Sequence, residues 1–296
     1  MSLAYKMIGM FVKTAKAKKQ SDPSEEEMLK ILREKFRAKD MPEFLYKRFN
    51  VTKTDIDGHP MFKISPKSGG SGSVILFLHG GGGMMCPTVL HYRMAADLVR
   101  QTGADLYFPF YPLAPEETVT ESVLHARKVY DALLKEHDSK SITIIGDSAG
   151  AVLTVSVCGY TDKKPNGAVL ISPGVGIERN DGKMERMEKY DTILSMKTIN
   201  LIKKYWLRDA DIAGPDINVI DRDYSGFPPM LLYYGTHELF YPYIGELIDR
   251  INESGVMLTV HEGKDLCHDW AIADVIPEGR KAIKQISAFV KNKRGE

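Results

Sequence analysis

Residues 141–155 read SITIIGDSAGAVLTV. The apolar residues 142–145 predict a buried strand, Gly146-Asp147-Ser148-Ala149-Gly150 predicts a sharp turn, and residues 151–155 suit a helix. Glycines are needed in so tight a turn because larger side chains would collide. A serine held there projects its oxygen clear of the sheet, beside a helix N-terminus that favours negative charge. Ser148 is therefore the candidate nucleophile, although Gly-x-Ser-x-Gly alone also occurs by chance.

Further apolar runs alternate with longer helical patterns on both sides of this stretch. Such alternation predicts the α/β class, with βα units around a buried, mostly parallel sheet. The predicted strands lie at 74–78, 104–108, 142–145, 168–171, 230–234 and 257–260, and the predicted helices at 88–101, 117–137, 149–159, 243–254 and 278–291.

The remaining segments suggest additions to this βα core. Residues 44–64 alternate like strands around the turn signal Asp57-Gly58, which predicts an antiparallel edge hairpin. Residues 1–43 predict N-terminal cap helices, one of them capped by Asp22. Residues 174–227 are charged and helical without a clear strand. We therefore expect N-terminal cap helices at 1–43 and a catalytic domain at 44–296 with a cap insertion at about 176–226.

Composition limits the possible partners. Forty basic and 39 acidic residues give a net charge of +1, which disfavours nucleic acid binding. Three cysteines argue against a disulfide framework or a structural metal site, and favour a reducing, cytoplasmic location. The apolar stretch 7–12 is too short to span a bilayer. Packing on the protein is the main interpretation for it, and contact with membrane or lipid substrate is the alternative.

A glycine-rich loop follows the predicted strand 74–78. In His79-Gly80-Gly81-Gly82-Gly83, consecutive glycines let backbone N–H groups face inward, as an oxyanion hole requires. A phosphate cradle is the alternative, but no Lys-Ser or Lys-Thr pair follows, and the glycine spacing does not fit a dinucleotide site. The loop therefore favours stabilisation of an oxyanion.

A serine nucleophile needs a base, and the base needs an orienting acid. When a triad follows the chain order serine, acid, histidine, the acid and the base lie in loops after later strands. Two such loops after predicted strands contain Glu238 and His268. Asp265 and Asp269 are alternative acids, but each lies too close in sequence to His268 to orient it easily. Other histidines are alternative candidates for the base. His237 lies beside the acid, and His261 lies at a strand end. His91, His125 and His137 lie in helical patterns.

With these residues placed, the chain resembles the hormone-sensitive-lipase-like branch of the α/β-hydrolases from about residue 74 onward. The resemblance rests on several ordered motifs, namely His79-Gly80-Gly81-Gly82, Tyr111-Pro112-Leu113-Ala114-Pro115-Glu116, Gly146-Asp147-Ser148-Ala149-Gly150, Ile171-Ser172-Pro173 and Pro228-Pro229. It implies an eight-stranded, mostly parallel sheet, a helical cap and no cofactor or metal. It also assigns the oxyanion hole to the N–H groups of Gly81, Gly82 and Ala149.

Three positions depart from the family pattern. Glu238 stands where the family usually has Asp, Gly83 and Met84 follow the three glycines where an aromatic residue is common, and Pro112 replaces a frequent Arg. The acyl or alcohol pocket is therefore expected to differ from that of commoner members. Cap residues that could line it, or equally pack as core, are Met7, Met10, Phe11, Met187, Trp206 and Phe240.

The motifs together predict a serine carboxylesterase that acts through an acyl-enzyme on a small ester of short to medium chain length. A ligand receptor on the same fold and a small-amide hydrolase are the alternatives. Because His268 is present, an enzyme is favoured over a receptor. No stable membrane insertion is expected, and a homodimer is left open.

Overall fold

A computed structural model describes residues 25, 26, 30, 40–208, 210–212, 214 and 216–292. Among these residues one sheet contains eight strands. They are β1 (Asn50–Ile56), β2 (His59–Ser65), β3 (Val74–Leu78), β4 (Asp105–Pro109), β5 (Ile142–Asp147), β6 (Gly167–Ile171), β7 (Met230–Gly235) and β8 (Leu258–Gly263). Their order is β1-β2-β4-β3-β5-β6-β7-β8. β1, β2 and β4 pair antiparallel, and every other pair is parallel.

The central strands are buried along their whole length because helices cover both faces of the sheet. Every residue of β3, β5, β6 and β7 is buried, as expected for parallel strands between two helical layers. The helices are α1 (Glu43–Arg48), α2 (Val89–Thr102), α3 (Val119–Leu133), α4 (Ala149–Tyr160), α5 (Lys183–Met187), α6 (Met196–Leu201), α7 (Tyr241–Glu253) and α8 (Pro277–Lys291). Two apolar cores result, one containing α3 and α4, the other α2 and α8.

The predicted α/β class and the mostly parallel, eight-stranded sheet are confirmed, and each predicted apolar run contains a strand. The strand predicted to begin near Phe44 is wrong, because Glu43–Arg48 forms α1. Leu45 is the buried residue of this short helix, and the buried side chains of Met41 and Phe49 flank it on either side. The hairpin strand begins only at Asn50.

The segment between β6 and β7, residues 172–229, contains α5, α6 and a π-helical turn at Ile202–Leu207. No strand occurs in its described residues. The division of the chain into cap and catalytic domain stays a prediction. The helix predicted near residues 22–36 and the stretch 1–19 lie almost wholly outside the described residues. None of the helices that the structure describes is both long and apolar enough to cross a membrane.

Candidate active site

Ser148 occupies the turn between β5 and α4, with φ 50° and ψ −115°. A non-glycine residue rarely adopts a positive φ, and close packing around the turn imposes it here. A Cβ on Gly146 would lie 2.2 Å from the carbonyl oxygen of Gly150, and one on Gly150 would lie 1.9 Å from that of Leu78. Both flanking glycines are therefore required by the fold, and together they present the Ser148 hydroxyl to the carboxyl edge of the sheet.

His268 and Glu238 meet Ser148 at this edge. The Nε2 atom of His268, on the loop after β8, lies 2.9 Å from the Oγ atom of Ser148. The Oε2 atom of Glu238, on the loop after β7, lies 3.6 Å from the Nδ1 atom of His268, just beyond hydrogen-bond length. Glu238 is fully buried, and neither of its carboxylate oxygens has a hydrogen-bond partner within the described part of the chain. Acid, base and serine are thus aligned in one row.

The alternative acids occupy other positions. The Oδ1 atom of Asp265 lies 3.5 Å from the Nε2 atom of His237, so it is paired with another histidine. The Oδ2 atom of Asp269 lies 3.3 Å from the Nε2 atom of His268, the nitrogen that faces Ser148. An orienting acid contacts the other imidazole nitrogen, where Glu238 lies. The geometry therefore favours Glu238 as the orienting acid.

Two carboxylates control the charge of His268. Burial alone would lower its pKa, but the nearby negative charges of Asp269 and Glu238 outweigh burial and raise it. Burial raises the pKa of Asp269. The negative charges of Asp269 and Glu238 favour cationic His268 over the neutral form that can accept a proton.

The glycine loop after β3 lies against the serine. Gly81 and Gly82 have φ angles of 107° and 63° and line the same cavity as Ser148 and Ala149. No carbonyl in the part of the chain that the structure describes accepts from the N–H of either glycine. The structure thus brings Gly81, Gly82 and Ala149 to the same cavity as Ser148, and the oxyanion hole assigned to their N–H groups stays a prediction.

His79 supports this loop instead of reacting. Its Nδ1 atom lies 2.7 Å from the carbonyl oxygen of Gly80 and so donates to it. The Tyr111 hydroxyl donates to the His79 carbonyl, at 2.6 Å, and stacks its ring on the imidazole. Burial lowers the pKa of His79 to about 3. A neutral imidazole therefore fixes the start of the glycine loop.

A buried pair next to the nucleophile was missed by sequence reasoning. The Nε2 atom of His91 lies 2.9 Å from the Oδ2 atom of Asp147, and both side chains are buried. The backbone N–H of Thr88 donates to the Nδ1 atom of His91, so Nε2 carries the hydrogen that binds Asp147. The two residues lie 56 positions apart, and no local pattern links them. His91 therefore holds the residue that precedes Ser148.

The β6–β7 segment also contacts the acid loop. The N–H of Leu239, directly after Glu238, donates to the Oδ2 atom of Asp191 at 3.0 Å. The Oδ1 atom of Asp191 accepts from the N–H groups of Ile193 and Leu194. This buried carboxylate therefore connects the segment to the loop that positions the acid.

A cavity of about 450 Å³ opens at Ser148 and is lined mostly by apolar side chains. Trp206 and Phe240 line it, as the sequence suggested, whereas Met187 does not. Met7, Met10 and Phe11 lie outside the described residues. One part of the lining consists of Gly82, Ile202 and Trp206, and another part consists of Asp269, Trp270 and Ile272. Among the residues described, no group of three or more His, Cys, Asp or Glu side chains could hold a metal ion.

Comparison with known proteins places this geometry in a family. The model of the alpha/beta hydrolase fold family matches residues 75–272. An acetyl-hydrolase of Streptomyces hygroscopicus is 26% identical over 231 residues, covering 76% of this chain and 77% of the relative. An esterase of Acinetobacter venetianus is 25% identical over 223 residues, covering 73% and 74%.

Solved structures share the fold over nearly the whole chain. The crystal structure of the esterase EstE5 superposes with a TM-score of 0.86 at 22% identity, covering 99% of both chains. A hormone-sensitive lipase from a metagenome library superposes with a TM-score of 0.84 at 24% identity, covering 99% of this chain and 98% of the other. These likenesses confirm the fold inferred from the motifs.

Proposed function

Because the chain belongs to the alpha/beta hydrolase fold family, we propose that it is a serine carboxylesterase acting on short- to medium-chain esters through an acyl-enzyme. The observation that carries the proposal is the row formed by Ser148, His268 and Glu238, with a 2.9 Å contact between serine and base. The relatives named acetyl-hydrolase and esterase support the same reaction class.

The proposed reaction assigns a role to each residue of the site. His268 takes the Ser148 proton at Nε2, and the Ser148 oxygen attacks the ester carbonyl. The N–H groups of Gly81, Gly82 and Ala149 hold the resulting oxyanion. His268 then protonates the leaving alcohol, and water repeats the sequence on the acyl-enzyme. Glu238 stabilises the imidazolium that forms in both steps.

The cavity supports small, apolar acyl groups. Its volume of about 450 Å³ lies toward the lower end of the roughly 300–1,000 Å³ typical of ligand pockets. Its lining includes Val152, Ile202 and Trp206, none of which offers a charge to an acyl chain. Three buried cysteines that form no disulfide, Cys86, Cys158 and Cys267, fit a reducing, cytoplasmic location for the enzyme.

Replacement of Ser148 tests the proposal directly. We expect Ser148→Ala to lose hydrolysis of p-nitrophenyl butyrate and labelling by a fluorophosphonate probe, while its thermal unfolding midpoint stays close to that of the wild type. Ser141→Ala is the matched control, since Ser141 lies at the opposite end of β5 and binds only the Asp138 carbonyl. Undiminished turnover in Ser148→Ala would sink the proposed mechanism. Ligand binding by a wild type that neither hydrolyses nor labels would indicate a receptor.

A further inference from the structure

Asp269 is a half-buried carboxylate, with 18% of its side chain exposed, that the proposed triad does not use. Its Oδ2 atom lies 3.3 Å from the Nε2 atom of His268. Its Oδ1 atom is buried and has no hydrogen-bond partner among the residues that the structure describes. Asp269 lines the cavity beside the apolar side chains of Trp270 and Ile272. A carboxylate in such surroundings lacks the donors that normally accompany burial.

The backbone of Asp269 is held by a hydrogen bond in a left-handed conformation. The residue has φ 58° and ψ 23°, and its N–H donates to the Oγ atom of Ser172 at 3.0 Å. Asp, Asn and Gly tolerate this left-handed conformation better than other residues. This backbone preference would explain Asp, Asn or Gly at position 269. It does not explain why a carboxylate oxygen lies 3.3 Å from the Nε2 atom of His268.

The position of Asp269 corresponds to the alcohol side of an ester. This step rests on the proposed function, in which His268 Nε2 gives its proton to the leaving oxygen. That oxygen must come within about 2.6–3.2 Å of Nε2. The Oδ2 atom of Asp269 is 3.3 Å from the same nitrogen. A group on the second carbon of the alcohol, counted from the leaving oxygen, can therefore reach the carboxylate.

We propose that Asp269 accepts a hydrogen bond from a hydroxyl group on the alcohol part of the substrate, so that the preferred substrates are esters of glycols and other hydroxylated alcohols. The apolar end of the cavity at Ile202 and Trp206 takes the acyl chain. The donor supplied by the substrate gives this carboxylate a polar partner in addition to His268.

Two butyrate esters of nearly equal size provide the test. 2-Hydroxyethyl butyrate and propyl butyrate differ by a hydroxyl in place of a methyl group, and the ratio of their kcat/KM values measures recognition of the hydroxyl. We expect the wild type to prefer the hydroxyethyl ester, and Asp269→Gly to reduce the ratio about tenfold or more, because a charge-assisted hydrogen bond is lost. Asp269→Asn keeps the shape and one acceptor oxygen, so its ratio should fall less.

The ratio separates recognition from any effect on the triad, because a change in His268 alters both esters alike. Asp265→Asn is the matched control, since Asp265 also has φ 58° on the same loop but contacts His237; its ratio should equal that of the wild type. An unchanged ratio in Asp269→Gly and Asp269→Asn, with hydrolysis of p-nitrophenyl butyrate retained, overturns the inference. A stronger Asp269-dependent preference for butyrylcholine, a cation without a donor, also contradicts it. Failure of the wild type on p-nitrophenyl butyrate refutes the esterase proposal itself.

Discussion

Glu238 combines complete burial with a missing hydrogen bond, which makes its replacement informative. The carboxylate lies 3.6 Å from the Nδ1 atom of His268 and has no other polar partner in the described residues. A buried charge without hydrogen bonds costs folding free energy. The carboxylate of Glu238 is therefore expected to favour catalysis but to lower the stability of the fold.

We expect Glu238→Gln to lower kcat by about 10³–10⁴, as loss of the acid does in other serine triads, without lowering the thermal unfolding midpoint. The amide no longer stabilises an imidazolium, while a buried charge is removed. Steady-state kinetics on p-nitrophenyl butyrate and calorimetry measure the two effects. Glu262→Gln is the control, because it changes a carboxylate on β8 that accepts a hydrogen bond from the hydroxyl of Tyr234 on β7. Full activity of Glu238→Gln would show that another residue orients His268.

The charge around His268 predicts an alkaline pH dependence. Only neutral His268 can take the Ser148 proton, and Asp269 and Glu238 raise its pKa above the ordinary value of about 6.5. Activity should therefore rise with pH through a midpoint above this value. Asp269→Asn removes one of the negative charges, so the midpoint should move to lower pH, while Glu238 still raises it. Profiles of kcat/KM against pH measure both midpoints, and a midpoint that stays in place or rises in the variant contradicts the prediction.

At the scale of elements, buried strands were predictable and short helices were not. Apolar runs such as Val74–Leu78 are buried on both faces, so their sequence alone marks them as parallel strands. Residues 44–49 satisfy both strand alternation and the four-residue spacing of a helix, and packing of Leu45 selects the helix. A short apolar pattern cannot distinguish the two when a tertiary contact decides.

The same distinction holds for the site. The positions of Ser148, Glu238 and His268 were predictable because each follows a strand, and parallel strands bring their carboxyl ends together. The contact between His91 and Asp147 was not, since it joins a helix to a turn 56 residues away. The approach of Asp269 to Nε2 depends on a left-handed backbone angle that the sequence does not specify.

The π-helical turn Ile202–Leu207 supplies the aromatic group that the glycine loop lacks. Ring atoms of Trp206 lie within 2.3 Å of where a Cβ of Gly83 would be, so the indole lies directly on the glycine backbone. Its Nε1 atom donates to the Oγ atom of Ser122 at 3.0 Å. The absent aromatic residue after the three glycines is thus replaced in space by one from the β6–β7 segment.

We expect Trp206→Ala to destabilise the protein by about 3–5 kcal/mol, the usual cost of deleting a buried aromatic side chain. The same change lengthens the acyl end of the cavity, so the preferred acyl chain should become longer. Rates on p-nitrophenyl esters from acetate to palmitate give the chain-length profile, and urea unfolding gives the stability. Trp206→Phe keeps an aromatic ring and should change both quantities less. An identical chain-length profile in Trp206→Ala would show that this residue does not bound the acyl site.

For the whole molecule, stability depends on how its layers are held on the sheet. α3 packs in the apolar core on one face, and β1 forms the outer strand of the antiparallel edge. His125 of α3 joins the two, because its Nε2 atom lies 3.2 Å from the carbonyl oxygen of Ile56 and donates to it. Its Nδ1 atom is buried without a partner in the described part of the chain. A second proton on this imidazole would therefore be buried and unpaired.

This geometry makes His125 a source of acid sensitivity for the whole fold. Burial, together with the nearby His59, lowers its pKa to about 4. Below the unfolded value of about 6.5, the unfolded chain binds a proton that the folded chain does not. The stabilising contribution is thus complete above pH 6.5 or so, and is lost as pH falls toward the folded pKa, by at most about 1.4 kcal/mol per pH unit.

His125→Gln isolates this contribution, since the amide can still donate to Ile56 but cannot titrate. We expect the free energy of unfolding of the wild type, relative to that of the variant, to be constant above about pH 7 and to decrease steadily between about pH 6.5 and 4. Other titrating groups are common to both proteins and cancel in the difference. Urea unfolding at several pH values provides the measurement. Parallel stability curves for the two proteins would mean that folding does not exclude the second proton from His125, and that acid sensitivity originates elsewhere in the molecule.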